Sequence, residues 1–293
     1  MIIYNSRKEK SMTKETLLKE LINRGFEAEA IVKVKNGVRI DAVTVKNGTN
    51  IAPSIDTAPF LKEAEENGLS NEETIEKFLE IVKNYQIERD IDANKFFEKE
   101  YLLDHINIGI QPVGSEDLIK KDTDLEGIEQ YLYVTVADEA IGKGSIKLKP
   151  DMLNYISASE DELWDAAESN LIAESTEFSL GNMLFLTNLL DYDTEQAVDK
   201  EVYVVSNFSR IKGAASILHP VIRRKMGRIL NASSLIVLPS SIHEVLVMNA
   251  SNKDLEEMTA MVQDVNKIAV EPTEILANQA FIIDSGIEDK AIA

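Results

Sequence analysis

The fold of this chain is decided by residues 202–248, which read VYVVSNFSRIKGAASILHPVIRRKMGRILNASSLIVLPSSIHEVLVM. Val202–Val205 is a β-branched and aromatic run that ends at Ser206-Asn207, and this pattern predicts a strand followed by a turn. Residues 213–218 form a second short apolar run, which is either a strand or the approach to the next helix. Pro220 favours the first turn of that helix, where its missing N–H costs nothing.

The helix that begins near Pro220 is predicted to be amphipathic and to stop at Asn231, a residue type that tolerates the left-handed conformation. Its predicted buried side chains are Ile222, Met226, Ile229 and Leu230. Its other faces carry Arg223, Arg224, Lys225 and Arg228. Two further strands are predicted at Leu235–Leu238 and Ile242–Met248, joined at 239–241. Short strands around one amphipathic helix predict an α+β fold with mixed, mainly antiparallel sheets packed against amphipathic helices.

Outside this stretch, local signals predict a hairpin and several helices. Asn36-Gly37 separates two alternating runs, which is typical of a two-residue hairpin turn. Two helices are predicted to begin with capping boxes, formed by Ser70 with Glu73 and by Ser159 with Glu162. A further helix is predicted over Asp90–Leu103, and Asn252 is predicted to cap the last one.

The domain organisation is predicted from composition along the chain. Residues 106–129 are interrupted by glycine and proline and end in a polar tail, which indicates a loop or a boundary. The predicted parts are an N-terminal α+β region (1–104), a connecting segment (105–130) and a C-terminal α+β region (131–293). Within the last part, Met183–Leu190 is predicted to be a strand or short helix, and residues 191–201 an acidic connector.

Composition narrows the functional classes. The chain has no cysteine, which excludes disulfides, thiolate catalysis and cysteine-bound metals. It has no run of about 18 apolar residues and no apolar secretory signal, so we expect no membrane span and a cytoplasmic location. The formal net charge of −20 argues against general nucleic-acid binding, which requires clustered cations to neutralise phosphates.

Positive charge is concentrated in one part of this acidic chain. No Asp or Glu occurs from Val202 to His243, and the six cations there leave a charge of −26 on the remainder. We call these six residues the basic cluster: Arg210, Lys212, Arg223, Arg224, Lys225 and Arg228. They either pair with the protein's own acidic surface or form a contact site for an anion or acidic partner.

The residues most typical of catalysis are Ser241, His243 and Glu244. A nucleophile–base pair needs a hydroxyl within hydrogen-bond reach of an imidazole that a carboxylate orients from its other side. On the predicted strand, Ser241 and His243 share a face while Glu244 points to the opposite one, so these residues do not form a triad by themselves. His243 is alternatively a structural residue that hydrogen-bonds a neighbouring loop.

Metal and phosphate motifs are incomplete. The three histidines, His105, His219 and His243, lack the spacing of a helical zinc site. Asp122 and Asp124 resemble the start of a calcium loop, but its twelfth position is Tyr133 where a carboxylate is needed. Residues 142–145, GKGS, lack the earlier glycine of a phosphate loop and favour a hairpin turn. We therefore predict no metal and no cofactor.

Several segments carry a resemblance to a known family. They are NIAPSI (50–55), MLNYISASEDELWDAAESN (152–170), YVVSNFSRIKGAASILHP (203–220) and LPSSIHEVLVMNAS (238–251). In these the chain resembles a domain family of unknown function, number 5688, found largely in clostridia and related Firmicutes and often near mobile elements. Residues 104–130 depart most from its pattern. The resemblance implies a cytoplasmic globular protein and brings no established catalytic residues.

Three functional hypotheses follow. The first is a non-enzymatic interaction or regulatory protein that binds a macromolecular partner, most simply a protein, through the basic cluster. The second is a hydrolase that uses His243 with Glu244 or with a distant carboxylate near Asn207. The third is a DNA mimic, in which rows of carboxylates occupy a nucleic-acid-binding protein.

Overall fold

The structure is a computed structural model that describes residues 11–140, 142–180 and 202–288. The chain divides into two compact units, the first comprising Met1–Ala93 with Asp138–Gly142 and the second comprising Asn94–Ala137 with Lys143–Ala293. Both units combine helices with antiparallel sheets, which makes this an α+β fold. Within the described residues, no helix has the length and apolar composition to cross a membrane.

The first unit packs three helices on a three-stranded antiparallel sheet of order β1-β2-β3. Its elements are α1 (Lys14–Asn23), β1 (Glu27–Lys35), β2 (Val38–Lys46), β3 (Ser54–Asp56), α2 (Thr57–Glu66) and α3 (Asn71–Tyr85). Asn36 and Gly37 both have positive φ, as the predicted hairpin turn requires. Phe60 and Phe78 meet edge to face in the core, 5.3 Å between ring centroids. Arg89, after α3, binds Asp138 of the same unit at 2.8 Å.

The second unit contains two antiparallel sheets with helices against them. Its helices are α4 (Lys99–His105), α5 (Glu160–Glu174), α6 (Pro220–Leu230) and α7 (Leu255–Ala269), with 3₁₀ turns at Ala93–Phe97, Pro150–Asn154 and Gly213–Leu218. Its strands are β4 (Ile106–Pro112), β5 (Lys120–Asp122), β6 (Ile128–Asp138), β7 (Gly142–Lys147), β8 (Ser175–Ser179), β9 (Val202–Asn207), β10 (Ser234–Pro239), β11 (Val245–Asn249) and β12 (Phe281–Asp284).

A buried polar network joins the strands of the smaller sheet, in which β6 pairs with β4, β5 and β7. The carboxylate of Glu129 is almost fully buried and accepts hydrogen bonds from Gln111 Nε2 at 2.8 Å and Lys120 Nζ at 2.9 Å. Lys147 donates to Gln111 Oε1 at 2.8 Å and to Glu116. One side chain from each of the four strands therefore takes part in the network.

The larger sheet has the strand order β12-β10-β11-β9-β8, and β8 lies at one edge. Helix α7 packs on one face, where Met258 and Val262 contact Ile236 and Leu238 of β10. The register places Phe178 of β8 on this same face, so that the adjacent Glu177 points to the other. Helix α6 and the 213–218 turn lie on that other face, since Lys225 of α6 binds Glu177.

Much of the predicted local structure is confirmed. The strand from Val202, the helix from Pro220 and the left-handed stop at Asn231, with φ of 48°, all occur. Both capping boxes form, with Ser70 and Ser159 each accepting a hydrogen bond from the backbone of the glutamate three residues later.

Other predictions are wrong at particular residues. Ile229, predicted to be buried, is exposed, while the small Gly227 is buried beside Ser285. Of the two alternatives for residues 213–218, the approach to the next helix is confirmed, as a 3₁₀ helix directly before α6. The last helix begins with Asp254 as its N-cap, whereas Asn252 lies in the preceding turn with φ of 60°. The predicted helix over Asp90–Leu103 is a 3₁₀ turn followed by α4.

The structure also divides the chain differently from the prediction. The segment predicted to connect two regions, 105–130, contributes β4, β5 and the start of β6 to a sheet, and the division into units falls after Ala93. The polar residues that suggested a loop are partly those of the buried network, such as Glu129. The predictions for Met183–Leu190 and residues 191–201 lie outside the described residues.

Candidate functional site

The loop that connects β9 to the 213–218 turn is organised by the buried side chain of Asn207. Asn207 Nδ2 donates to the carbonyl of Ile211 at 2.9 Å, and Asn207 Oδ1 accepts from the backbone N–H of Ile211 at 3.1 Å. The hydroxyl of Ser209 donates to the same oxygen at 3.1 Å. A short polar side chain at the end of a strand thus closes the loop on itself, which fixes its conformation.

The far end of this loop is fixed against the turn that holds His243. The backbone N–H of Lys212 donates to His243 Nδ1 at 3.0 Å. A Cβ on Gly213 would lie 2.4 Å from the backbone nitrogen of Asn207 and 2.9 Å from the carbonyl oxygen of His243, so only glycine fits. Arg210 and Lys212 both adopt the left-handed conformation, with φ of 53° and 57°.

The fixed loop exposes two large apolar side chains at its tip. Phe208 is 75% exposed and Ile211 is 57% exposed. Between them, the guanidinium of Arg210 lies 4.7 Å from the centroid of the Phe178 ring. We call residues Phe208–Ile211 the loop tip.

Helix α6, which carries four members of the basic cluster, begins at His219. The His219 side chain caps the helix, because its Nδ1 accepts the backbone N–H of Val221 at 3.1 Å. Burial lowers the pKa of His219; Glu168 opposes this shift and Arg224 adds to it. His219 also lines a cleft of about 390 Å³ together with Asp122, Asp124 and Glu168.

Two cations of the basic cluster on α6 are engaged within the protein. Arg223 forms a two-pronged ion pair with Asp124, at 2.5 and 2.7 Å, and its Nε donates to the carbonyl of Ile217. This ion pair lowers the pKa of the Asp124 carboxyl. Lys225 Nζ lies 2.5 Å from Glu177 on β8. Arg223 and Lys225 therefore pair with the protein's own acidic residues, which is the first of the two interpretations of the basic cluster.

The other cations of the helix face outward. Arg224 and Arg228 are exposed, and within the described residues no carboxylate pairs with either of them. They share the outer surface of α6 with the exposed side chains of Val221 and Ile229. We call this surface, made of Val221, Arg224, Arg228 and Ile229, the outer face of α6.

Lys212 contacts another part of the second unit. Its ammonium donates to Ser145 Oγ at 2.6 Å and lies 4.2 Å from the centroid of the Tyr133 ring. Burial raises the pKa of the Tyr133 hydroxyl. Of the basic cluster, Lys212, Arg223 and Lys225 thus have structural contacts, while Arg210, Arg224 and Arg228 have accessible charges.

The candidate catalytic residues lie in a turn and not on the predicted strand, since β11 begins only at Val245. The turn closes when the backbone N–H of Ser241 donates to the carbonyl of Glu244 at 3.2 Å. Ser241 Oγ accepts the backbone N–H of His243 at 3.0 Å, and the ring nitrogens of His243 face Lys212 and Glu274 instead of this hydroxyl. The alternation of faces predicted for Ser241, His243 and Glu244 is therefore wrong.

The imidazole of His243 has other neighbours. Its Nδ1 accepts from Lys212, and its Nε2 lies 3.5 Å from Glu274 Oε1. The hydroxyl of Ser206 donates to the His243 carbonyl at 2.8 Å. The structure therefore shows the predicted alternative, a histidine that hydrogen-bonds a neighbouring loop.

Within residues 11–140, 142–180 and 202–288, no group of three acidic or histidine side chains is arranged to hold a metal ion. His105 stacks on Tyr101 with 4.0 Å between ring centroids, far along the chain from the other histidines. Asp122 and Asp124 line the same cleft as His219, but Asp124 is bound to Arg223.

Sequence reasoning missed Phe208, Ile211 and Glu274. Two large apolar residues in a loop that asparagine closes are a usable signal for the first two, whereas nothing in the sequence connects Glu274 to His243.

In comparisons with known proteins, the model of a family of unknown function (DUF5688) matches residues 10–285. The chain therefore belongs to that family. No curated protein and no solved structure matches it.

Proposed function

We propose that the protein is a non-enzymatic interaction protein of the cytoplasm, which acts by binding a partner protein through the accessible part of the basic cluster. The observation that carries this proposal is the outer face of α6. In a chain with a net charge of −20, Arg224 and Arg228 point outward beside the exposed Val221 and Ile229. A surface that combines cations with apolar side chains complements an acidic protein surface.

The geometry gives less support to the two alternatives. A hydrolase of the Ser–His type needs a hydroxyl that donates to the imidazole, whereas His243 Nδ1 accepts from the backbone of Lys212 and its Nε2 faces Glu274. A DNA mimic needs rows of unpaired carboxylates. Some of the exposed carboxylates of both units are instead in ion pairs with cations, such as Lys77 with Glu63 and Lys99 with Glu162.

The test is capture of the partner from the native host with the tagged full chain and with an Arg224→Glu/Arg228→Glu variant. Arg223 is left unchanged, because reversing its charge would break the ion pair with Asp124 and disturb the fold. The matched control is Lys149→Glu/Lys253→Glu, which changes the net charge equally at two other exposed positions of the second unit. The fluorescence of Trp164, the single tryptophan, reports whether each variant is folded.

We expect wild type and control to capture the same stoichiometric partner and the α6 variant to lose it. Equal capture by all three proteins would refute the role of the outer face of α6. Loss in the control as well as in the α6 variant would attribute binding to total charge and would also refute it.

A further inference from the structure

We propose that the loop tip is the apolar anchor of this interface and that it inserts into an apolar pocket bordered by carboxylates on the partner protein. The inference rests on the proposed function and adds to it the site of closest contact and the chemistry of the partner. The basic cluster alone does not imply such an anchor, because the two side chains that form the anchor, Phe208 and Ile211, are uncharged.

The exposure of these two side chains is the first reason. Phe208 and Ile211 are three residues apart and are 75% and 57% exposed, in a chain only 6% aromatic. Exposed apolar side chains that share one short loop with a cation such as Arg210 are typical of a binding site. The few residues that dominate binding energy in protein interfaces are mostly large side chains that fill a pocket on the partner.

The second reason is that the loop tip is already held in one conformation. Asn207 closes the loop with two hydrogen bonds to Ile211, and His243 fixes its far end through Lys212. A loop that is ordered before binding loses little conformational entropy when it binds, so more of the contact energy appears as affinity. This gives His243 and Asn207 a positioning role.

Charge around the loop tip defines the partner's chemistry. Arg210 lies over Phe178, and Lys225 of α6 binds Glu177, which is the neighbouring residue on edge strand β8. The loop tip and the side chain of Lys225 therefore reach the same edge of the sheet from its two faces, whereas Arg224 lies against Gly286, which follows β12 at the other edge. A partner that takes up Phe208 must place a carboxylate beside its pocket, to face Arg210.

Other occupants fit this surface less well. A second copy of the chain in a two-fold contact would bring two copies of the same cationic surface into one interface, which adds like charge there. An anionic membrane would attract Arg210 but repel a chain of net charge −20, and two apolar side chains supply little insertion energy. Neither objection applies to a partner protein with a complementary acidic and apolar site.

The experiment begins with a photo-crosslinking benzoylphenylalanine placed at position 208 of the full chain, in the native host. The control position is Tyr155, which is 84% exposed in the same unit. The protein crosslinked from position 208 is then purified and titrated against wild type and a Phe208→Ser/Ile211→Ser variant. The matched variant is Tyr155→Ser/Ile268→Ser, which removes two even more exposed apolar side chains elsewhere.

We expect one protein to crosslink from position 208 and not from 155, through a segment with apolar and acidic residues. The loop-tip variant should bind it about 30-fold more weakly or worse, as for the loss of a dominant interface residue, and the matched variant should bind within about 3-fold. Crosslinks to lipid, to another copy of the chain or equally from both positions would overturn the inference. So would an absence of crosslinks, or unchanged affinity of the loop-tip variant.

The same titration separates this inference from the proposed function. If Arg224→Glu/Arg228→Glu abolishes binding while the loop-tip variant binds normally, the anchor is refuted and the outer face of α6 stands. If the loop-tip variant alone loses binding, the anchor stands and the role of α6 is refuted.

Discussion

Replacement of Gly213 by alanine should destabilise the second unit by about 2–4 kcal/mol. The added Cβ would lie 2.4 Å from the backbone nitrogen of Asn207 and from Ser206 Oγ, and 2.9 Å from the carbonyl oxygen of His243. Two of these atoms belong to the backbone and cannot move alone. Overpacking of this kind costs about 1–3 kcal/mol. Displacing Ser206 also breaks its 2.8 Å hydrogen bond to His243, worth about 1 kcal/mol.

The assay is urea unfolding followed by the fluorescence of Trp164, which is buried in the second unit and is the only tryptophan. The matched control is Gly144→Ala, where the added Cβ would meet Val136 Cγ2 at an ordinary 3.5 Å. We expect the control to unfold within about 1 kcal/mol of wild type. If Gly213→Ala is as stable as the control, the close approach of the two loops at this glycine is refuted.

Three further predictions concern titratable side chains. Glu129→Gln should lower the free energy of unfolding by about 2 kcal/mol or more, since it leaves Lys120 without its carboxylate partner. The loss should be smaller in a Lys120→Met background, and equal losses in both backgrounds would contradict the role of this ion pair. His219 has a lowered pKa in the folded state, so the unfolded state binds its proton more readily; stability should therefore fall as pH drops below about 6.5. The His219→Asn variant keeps a capping side chain that does not titrate, and urea midpoints across pH should show a weaker dependence; an unchanged dependence would exclude His219. The Asp124 carboxyl has a lowered pKa in the folded state, so its contribution is present above the unfolded pKa near 4 and is lost as pH falls below it. A double-mutant cycle of Asp124→Asn with Arg223→Met should give a coupling of only about 0.5–1 kcal/mol, because Asp124 is more than half exposed; additive effects would show that the ion pair contributes nothing.

The elements that sequence predicts correctly are those with signals inside one short segment. The capping box at Ser70 and the left-handed stop at Asn231 depend only on residues within a turn of the helix, and both occur. The strand at Val202 likewise follows from its own composition. Local chemistry determines these features because their hydrogen-bond partners are close in sequence.

The features that sequence could not give depend on residues far apart along the chain. Arg223 and Asp124 are separated by 99 positions, so the pairing that removes Arg223 from any contact surface has no local signal. Glu129 has a polar side chain that suggests a loop, yet Lys120 and Gln111 satisfy it inside a sheet. The accessible part of the basic cluster is therefore visible only once the packing is known.

The short segment Asp138–Gly142 has a consequence for dividing this chain into fragments. It runs from the last residue of β6 to the first residue of β7 but belongs to the first unit, where Asp138 binds Arg89. The first unit is thus discontinuous in sequence, and a fragment that ends at residue 93 lacks part of it. The side chain of Asp138 is almost fully buried, so cutting there removes an internal partner of Arg89. Expression of the two parts as separate polypeptides should succeed only when residues 138–142 are returned to the first, for example through a designed linker after Ala93.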